Sequence, residues 1–98
     1  MDQQQKEKVV QEAREKQTEL QDTIRAVKGE AYLDQIATLA SIILLGRAIA
    51  TLGYVEVSNQ LCQSALANAF SAFGVKGEEL SMGMAKDAIA LADVSTVR

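Results

Sequence analysis

Arg47 is the residue of this chain whose setting most invites a chemical role. It is the only charged residue between Ile36 and Leu52. A guanidinium in such a setting can bind a partner's carboxylate through two parallel hydrogen bonds. The alternative is a structural arginine that lays its stem along the core and pairs with an acidic residue of its own chain. The acidic candidates for that pairing are Asp34, Glu56 and Asp93.

Cys62 is the only cysteine in the chain, and it lies in a stripe of apolar residues. A catalytic thiolate needs a neighbouring base, and the chain contains no histidine. The chain has no second cysteine and no histidine that could complete a metal site with Cys62. The adjacent carboxylates Glu78 and Glu79 are better placed to stabilise a helix N-terminus than to catalyse a reaction. We therefore expect a structural thiol, no enzymatic activity, no metal and no cofactor.

Two methionines form a further candidate site. Met82 and Met84, with Phe70 and Phe73 nearby, could offer the adaptable surface that methionine gives to a bound helix. Residues two apart cannot both face one side of a helix, so one of the two methionines must lie outside a common face. The alternative is that they fill the core. The residues predicted to bind a partner are Arg47, Ile43, Met82 and Met84.

The elements that must position these residues are helices, because the apolar residues recur at steps of three and four and the chain has no proline. The pattern predicts an all-α fold with helices over residues 4–28, 30–52, 56–73 and 78–93. Gly29 interrupts the first pattern, although a long helix can accommodate a glycine. We expect a charged helix at 1–30, a helical hairpin or three-helix unit at 31–93, and a frayed tail at 94–98.

Residues 1–30 carry 13 of the chain's 23 charged residues and one apolar stripe. With Gln17 filling one gap, the steps of that stripe alternate three and four, as in a coiled coil. This pattern predicts a seam that packs against a later helix or against a second copy of the chain. The residues predicted to mediate self-association are Val10, Ala13, Leu20, Ile24 and Val27.

Residues 42–70 resemble one tetratricopeptide repeat, the helix–turn–helix unit of peptide-binding solenoids. The resemblance rests on eight positions that fit the spacing of the repeat. These positions are Ile42, Leu45-Gly46, Ile49, Gly53, Ser58, Cys62 and Ala65. Phe70 stands where the repeat commonly has proline, and the neighbouring segments do not repeat the pattern. The resemblance implies a close helical hairpin, with Arg47 on the inner helix facing a ligand groove.

The run from Ile36 to Tyr54 reaches the minimum length of a membrane span. Arg47 lies past its middle, and no interfacial tryptophan or basic cluster flanks it. We therefore favour a buried helix over a span at 36–54. The single cysteine and the polar N-terminus predict a cytoplasmic protein.

The net charge of −3 argues against a nucleic-acid partner, which normally selects a basic patch. Low aromatic content and helices rich in alanine and leucine are typical of proteins that pack against other helices. We predict a small helical protein–protein interaction module (an adaptor, chaperone or regulator) that also forms a homo-oligomer. The alternatives are a structural subunit of a larger helical assembly and a small membrane-embedded protein.

Overall fold

The structure, a computed structural model, describes residues 2–95. This range folds into four α-helices and contains no strand. The helices are α1 (Gln3–Lys28), α2 (Glu30–Thr51), α3 (Val55–Phe73) and α4 (Glu78–Ser95). The predicted all-α fold is confirmed, and each predicted helix boundary lies within two residues of the observed one.

Both ends of the helical region are well defined. At the start of α1, Asp2 accepts a hydrogen bond from the Gln5 backbone at 2.8 Å, and the Gln5 side chain accepts one from the Asp2 backbone. At the other end, α4 continues through Val94 and Ser95, so the prediction of a frayed tail at 94–98 is wrong for these two residues. Val94 packs against the core, which extends the helix. Residues 96–98 lie outside the described part of the chain.

Gly29 separates α1 from α2. Its φ of 94° and ψ of 166° lie in a backbone region that is essentially restricted to glycine. Arg25 spans the break, because its Nε donates to Glu30 Oε2 at 2.5 Å. The hydrogen bond to Glu30 is the main reason why the pKa of Arg25 lies above its ordinary value. The charged segment and the body are therefore separate helices joined at a fixed glycine turn.

Helix α2 is the centre of the fold, since α1, α3 and α4 all pack on it. In the described part of the chain the core consists of nine buried apolar residues, none of them from α3: they are Ile24, Leu33, Ile36, Leu39, Ala40, Met84, Ala88, Leu91 and Ala92. The only buried residue of α3 is Ser58. The molecule measures 47 × 38 × 17 Å and is therefore flat. Helices α1, α2 and α4 contact one another, whereas α3 packs mainly on α2 and lies at an edge.

The crossing of α2 and α3 is close because Gly46 has no side chain. A Cβ at this position would lie 2.3 Å from Cys62 Sγ and 3.3 Å from Ser58 Oγ. Ser58 Oγ instead donates a hydrogen bond to the Gly46 carbonyl at 2.6 Å. The small residues at these positions therefore act as predicted from the sequence, by letting the two helices approach.

Among the described helices, α2 alone is long and apolar enough to cross a membrane by length and composition, with a mean hydropathy of 1.5. Its bounds differ from the span considered at 36–54, because the helix begins at Glu30 and ends at Thr51, before the Gly53-Tyr54 turn. Of its most apolar stretch, 28% is buried within the chain. A core helix of a protein in water passes the same test.

Candidate functional site

An apolar cleft of about 270 Å³ opens between α2, α3 and α4. Each helix contributes large or small apolar side chains to it: Leu39 and Ile43 from α2, Leu66 and Phe70 from α3, and Ala88 and Ile89 from α4. Among the residues that the structure describes, Arg47 is the only charged one in its lining. We call this feature the α2–α4 cleft.

The cleft exists because α3 and α4 both pack on α2 while scarcely contacting each other. The loop between them begins at Gly74, whose left-handed conformation ends α3. The flanking residues Phe73 and Val75 pack against the core and anchor this loop. The two helices are therefore held apart as walls, with α2 as the floor.

Arg47 forms a salt bridge with Asp93 of α4, with 2.8 Å between Nη2 and Oδ1. The two side chains are 45% and 58% exposed, so the pair contributes little to stability, about 0–1 kcal/mol. The sequence offered Asp93 as one structural partner of Arg47, and the structure shows this pairing. Because Arg47 also lines the cleft, a ligand carboxylate could compete with Asp93 for the guanidinium.

The two methionines take different roles. Met84 is 2% exposed and belongs to the core, so its prediction as a partner-binding residue is wrong. Met82 is 54% exposed and lies three residues before Ala85 and seven before Ile89, on the side of α4 that faces the cleft. Met82 therefore extends the α4 wall of the cleft, and Ile43 lies in its floor.

The predicted seam of α1 does not run along the whole helix as one interface. Ile24 is buried in the core of its own chain and Leu20 packs against that core, so neither is available to a second copy. The assignments of Leu20 and Ile24 are corrected: the turn at Gly29 brings the end of α1 against α4, which covers one side of the helix. Val27 is 74% exposed, so its part in self-association stays a prediction. Val10 and Ala13 are half-buried and lie outside the core cluster.

A polar cluster of Lys28, Tyr32 and Asp87 joins α1, α2 and α4. Lys28 Nζ lies 3.0 Å from Asp87 Oδ2 and 3.3 Å from Tyr32 Oη, and Tyr32 Oη donates to the same Asp87 oxygen. The Lys28 ammonium also lies 4.8 Å from the centre of the Tyr32 ring. Sequence reasoning missed this cluster, because Asp87 is 55 residues from Tyr32 and no local pattern links the two.

The cluster shifts the pKa of each of its members. The hydrogen bond to Asp87 is the main cause that raises the pKa of Lys28. Partial burial, followed by the hydrogen bond to Asp87, raises the pKa of Tyr32. At Asp87 burial raises the pKa, but the hydrogen bonds from Tyr32 and Lys28 outweigh it and leave the pKa below its ordinary value. The three groups therefore hold one another in the protonation states that they have at neutral pH.

Within residues 2–95, no group of three His, Cys, Asp or Glu side chains is arranged to hold a metal ion. Cys62 is half-buried and packs against the backbone of α2, with its Sγ 4.0 Å from the Ile42 carbonyl oxygen. This thiol fills space at the helix crossing beside Gly46.

Comparison with protein-family models, with curated proteins and with solved structures finds no match to this chain. The resemblance of residues 42–70 to a tetratricopeptide repeat therefore rests on the positions named above and stays a prediction. The resemblance implies a close helical hairpin. The structure contains a close crossing of α2 and α3 at Gly46 and Ser58.

Proposed function

We propose that this protein is a small helical protein–protein interaction module that binds an apolar helix of a partner protein in the α2–α4 cleft. The observation that carries the proposal is the cleft itself. Its floor and walls are apolar, it is open to solvent, and no side chain among residues 2–95 fills it. Clefts of this kind bind the apolar face of an amphipathic helix through side chains spaced three and four residues apart.

The rim of the cleft gives the partner helix a polar contact. Arg47 is half-exposed and is held at the rim by Asp93. A carboxylate on the partner helix could replace Asp93 and take the guanidinium in bidentate geometry. We therefore expect the preferred partner to carry an acidic residue beside its apolar stripe. A cytoplasmic location is part of the same proposal and rests on the single cysteine.

The experiment is photo-crosslinking in cells that make the protein, with a photoreactive amino acid placed at Ile89 or at Ala90. Both positions are exposed on α4, but only Ile89 lines the cleft. We expect an adduct with a different protein at position 89 and a much weaker one at position 90.

A second substitution tests whether that adduct forms in the cleft. With the photoreactive group at Met82, Ile89→Glu should abolish the adduct and Ala90→Glu should leave it. Equal adducts at positions 89 and 90, or no adduct with another protein at either, would contradict the proposed function.

A further inference from the structure

A second surface, distinct from the cleft, lies on the opposite side of the α2–α3 hairpin. Leu45 is two residues from both Ile43 and Arg47, and at about 100° per residue it faces away from the cleft. Ala48 and Leu52 share its side of α2. On α3, Val57, Leu61, Ser64 and Asn68 lie across the helix from Leu66 and Phe70. We call this surface, formed by these residues with Thr38 and Ser41, the hairpin outer face.

The residues named for the hairpin outer face carry no charge, and α3 has no charged residue after Glu56. Asp34 lies one turn before Thr38, at the end of this face. Leu45, Leu52 and Val57 are 54%, 75% and 53% exposed, and of the whole face only Leu61 is half-buried. Helix α3 is covered by α2 on one side only, so the uncharged outer side of α3 stays exposed.

Covering this face would leave few polar groups without a hydrogen bond. The Thr38 hydroxyl already donates to the Asp34 carbonyl at 3.1 Å, and the Ser41 hydroxyl donates to the Ala37 carbonyl at 3.0 Å. The desolvation cost of the α2 half of the face is therefore small. Two copies of an uncharged face also meet without like-charge repulsion across a two-fold axis.

The accessible area of the chain leaves room for such a cover. The chain exposes 6869 Å², whereas a folded monomer of 10.6 kDa exposes about 5,500 Å². The excess of about 1,400 Å² is shared between the part of α1 before Leu20, which lies outside the core, and the exposed side of the α2–α3 hairpin. A standard interface buries about 800 Å² on each partner.

We propose that the hairpin outer face docks against the same face of a second copy of this chain, so that two α2–α3 hairpins form a four-helix core. This dimer leaves the α2–α4 cleft of each copy open. The polar side chains Ser64 and Asn68 on the α3 half of the face favour a protein over lipid as its cover, because lipid tails cannot hydrogen-bond to them.

Light scattering after size exclusion, in buffer without detergent and over a range of concentrations, tests the proposal. We expect twice the mass of one chain for the wild type, and the mass of one chain for both Leu45→Glu and Val57→Glu. Ile89→Glu is the matched control, because it also places a glutamate at a half-exposed apolar position but lies in the cleft. It should keep the dimer mass, and circular dichroism should show that all three variants stay helical.

Cysteine crosslinking supplies a measurement that does not depend on a disruptive substitution. In a Cys62→Ala background, single cysteines at Ser41, Leu45, Ala48 and Ser64 are oxidised, with a cysteine at Ile89 as the control. At least one outer-face cysteine should give a covalent dimer, and the cysteine at position 89 should not.

Three results would overturn the proposal. The first is a single-chain mass at every concentration for the wild type. The second is a dimer that Ile89→Glu disrupts while Leu45→Glu and Val57→Glu do not, which would place the second copy in the cleft. The third is a protein that stays soluble only with detergent and partitions into phosphatidylcholine vesicles, which would show that lipid covers this face.

Discussion

Tyr32 on α2 donates a hydrogen bond to Asp87 on α4, and the same carboxylate oxygen accepts another from Lys28 at the end of α1. One oxygen atom of α4, 55 residues away from Tyr32 in the sequence, thus joins the end of α1 to the start of α2. The cluster lies where α1 turns into α2, so it fixes the direction in which the charged helix leaves the body.

Removal of the Tyr32 hydroxyl should weaken this junction. We expect Tyr32→Phe to lower the free energy of unfolding by about 0.5–1.5 kcal/mol, since it removes a hydrogen bond that solvent partly screens. Urea denaturation at neutral pH measures the change. Tyr54→Phe is the matched control, because Tyr54 is 62% exposed at the α2–α3 turn. Equal effects at the two tyrosines would contradict the assigned role.

The same cluster predicts a pH dependence. The pKa of Asp87 is lowered in the folded protein, so the unfolded chain binds the proton first as the pH falls. Its stabilising contribution is present above the ordinary carboxylate pKa of about 3.9 and is lost as the pH falls below it. The pKa values of Tyr32 and Lys28 are raised, so their contributions are present below about pH 10 and are lost above it.

Melting temperatures of the wild type and Asp87→Asn across pH check this dependence. The difference between them should be largest near neutral pH and should shrink towards both extremes. A difference that does not change with pH would show that Asp87 acts only by packing.

The crossing at Gly46 should tolerate no added methyl group. We expect Gly46→Ala to destabilise the protein by about 1–3 kcal/mol, because the new Cβ would lie 2.3 Å from Cys62 Sγ. Cys62→Ala removes that sulfur atom and should restore part of the loss in the double variant. The free energies of a double-mutant cycle measure this coupling. Additive effects would mean that α2 and α3 separate easily.

Two glycines should respond in opposite directions to the same substitution. Gly29→Ala should destabilise the protein by about 1–3 kcal/mol, because its φ of 94° strains any residue with a side chain. Gly83→Ala should stabilise it by about 0.5–1 kcal/mol, because Gly83 lies within α4 and its added Cβ meets nothing within 4 Å. Thermal denaturation of the two variants and the wild type measures both changes in stability. Stabilisation by Gly29→Ala would argue that α1 and α2 can form one helix.

The two methionines provide a test of the corrected site. Met84→Ala should cost about 2–5 kcal/mol, since it empties a fully buried position. Met82→Ala should change stability by no more than about 0.5 kcal/mol, because the side chain lies in solvent at the cleft wall. If Met82 serves the proposed partner, its substitution should affect binding instead.

The four helices could be predicted from the sequence because their signals are local. Gly53 and the Gly74–Gly77 loop mark where the 3.6-residue periodicity stops, and Glu78 marks where it resumes. Gly46 and Ser58 also predicted a close crossing, because small side chains let two helices approach each other closely wherever they meet.

The site could be predicted only in part, because periodicity shows that a helix has an apolar stripe but not which element covers it. The positions of Leu20 and Ile24 fit both an intermolecular seam and a core. They pack into the core because the turn at Gly29 folds α1 back against the body. Met82 and Met84 lie two residues apart, so they face different sides of α4, and the sequence does not show which of these sides is buried. The cleft arises because α3 and α4 stay apart, which is a property of the packed chain as a whole.

The docking of α1 only near its C-terminal end has a consequence for how the protein melts. No residue of α1 before Leu20 belongs to the core, so the first part of this helix is a helix–coil system attached to a folded nucleus. The costly first turn is already formed where Leu20 and Ile24 pack, and the rest propagates from it towards the cap at Asp2. On heating, this segment should fray gradually from its N-terminus, and the helical signal should decline with a slope before the body unfolds cooperatively.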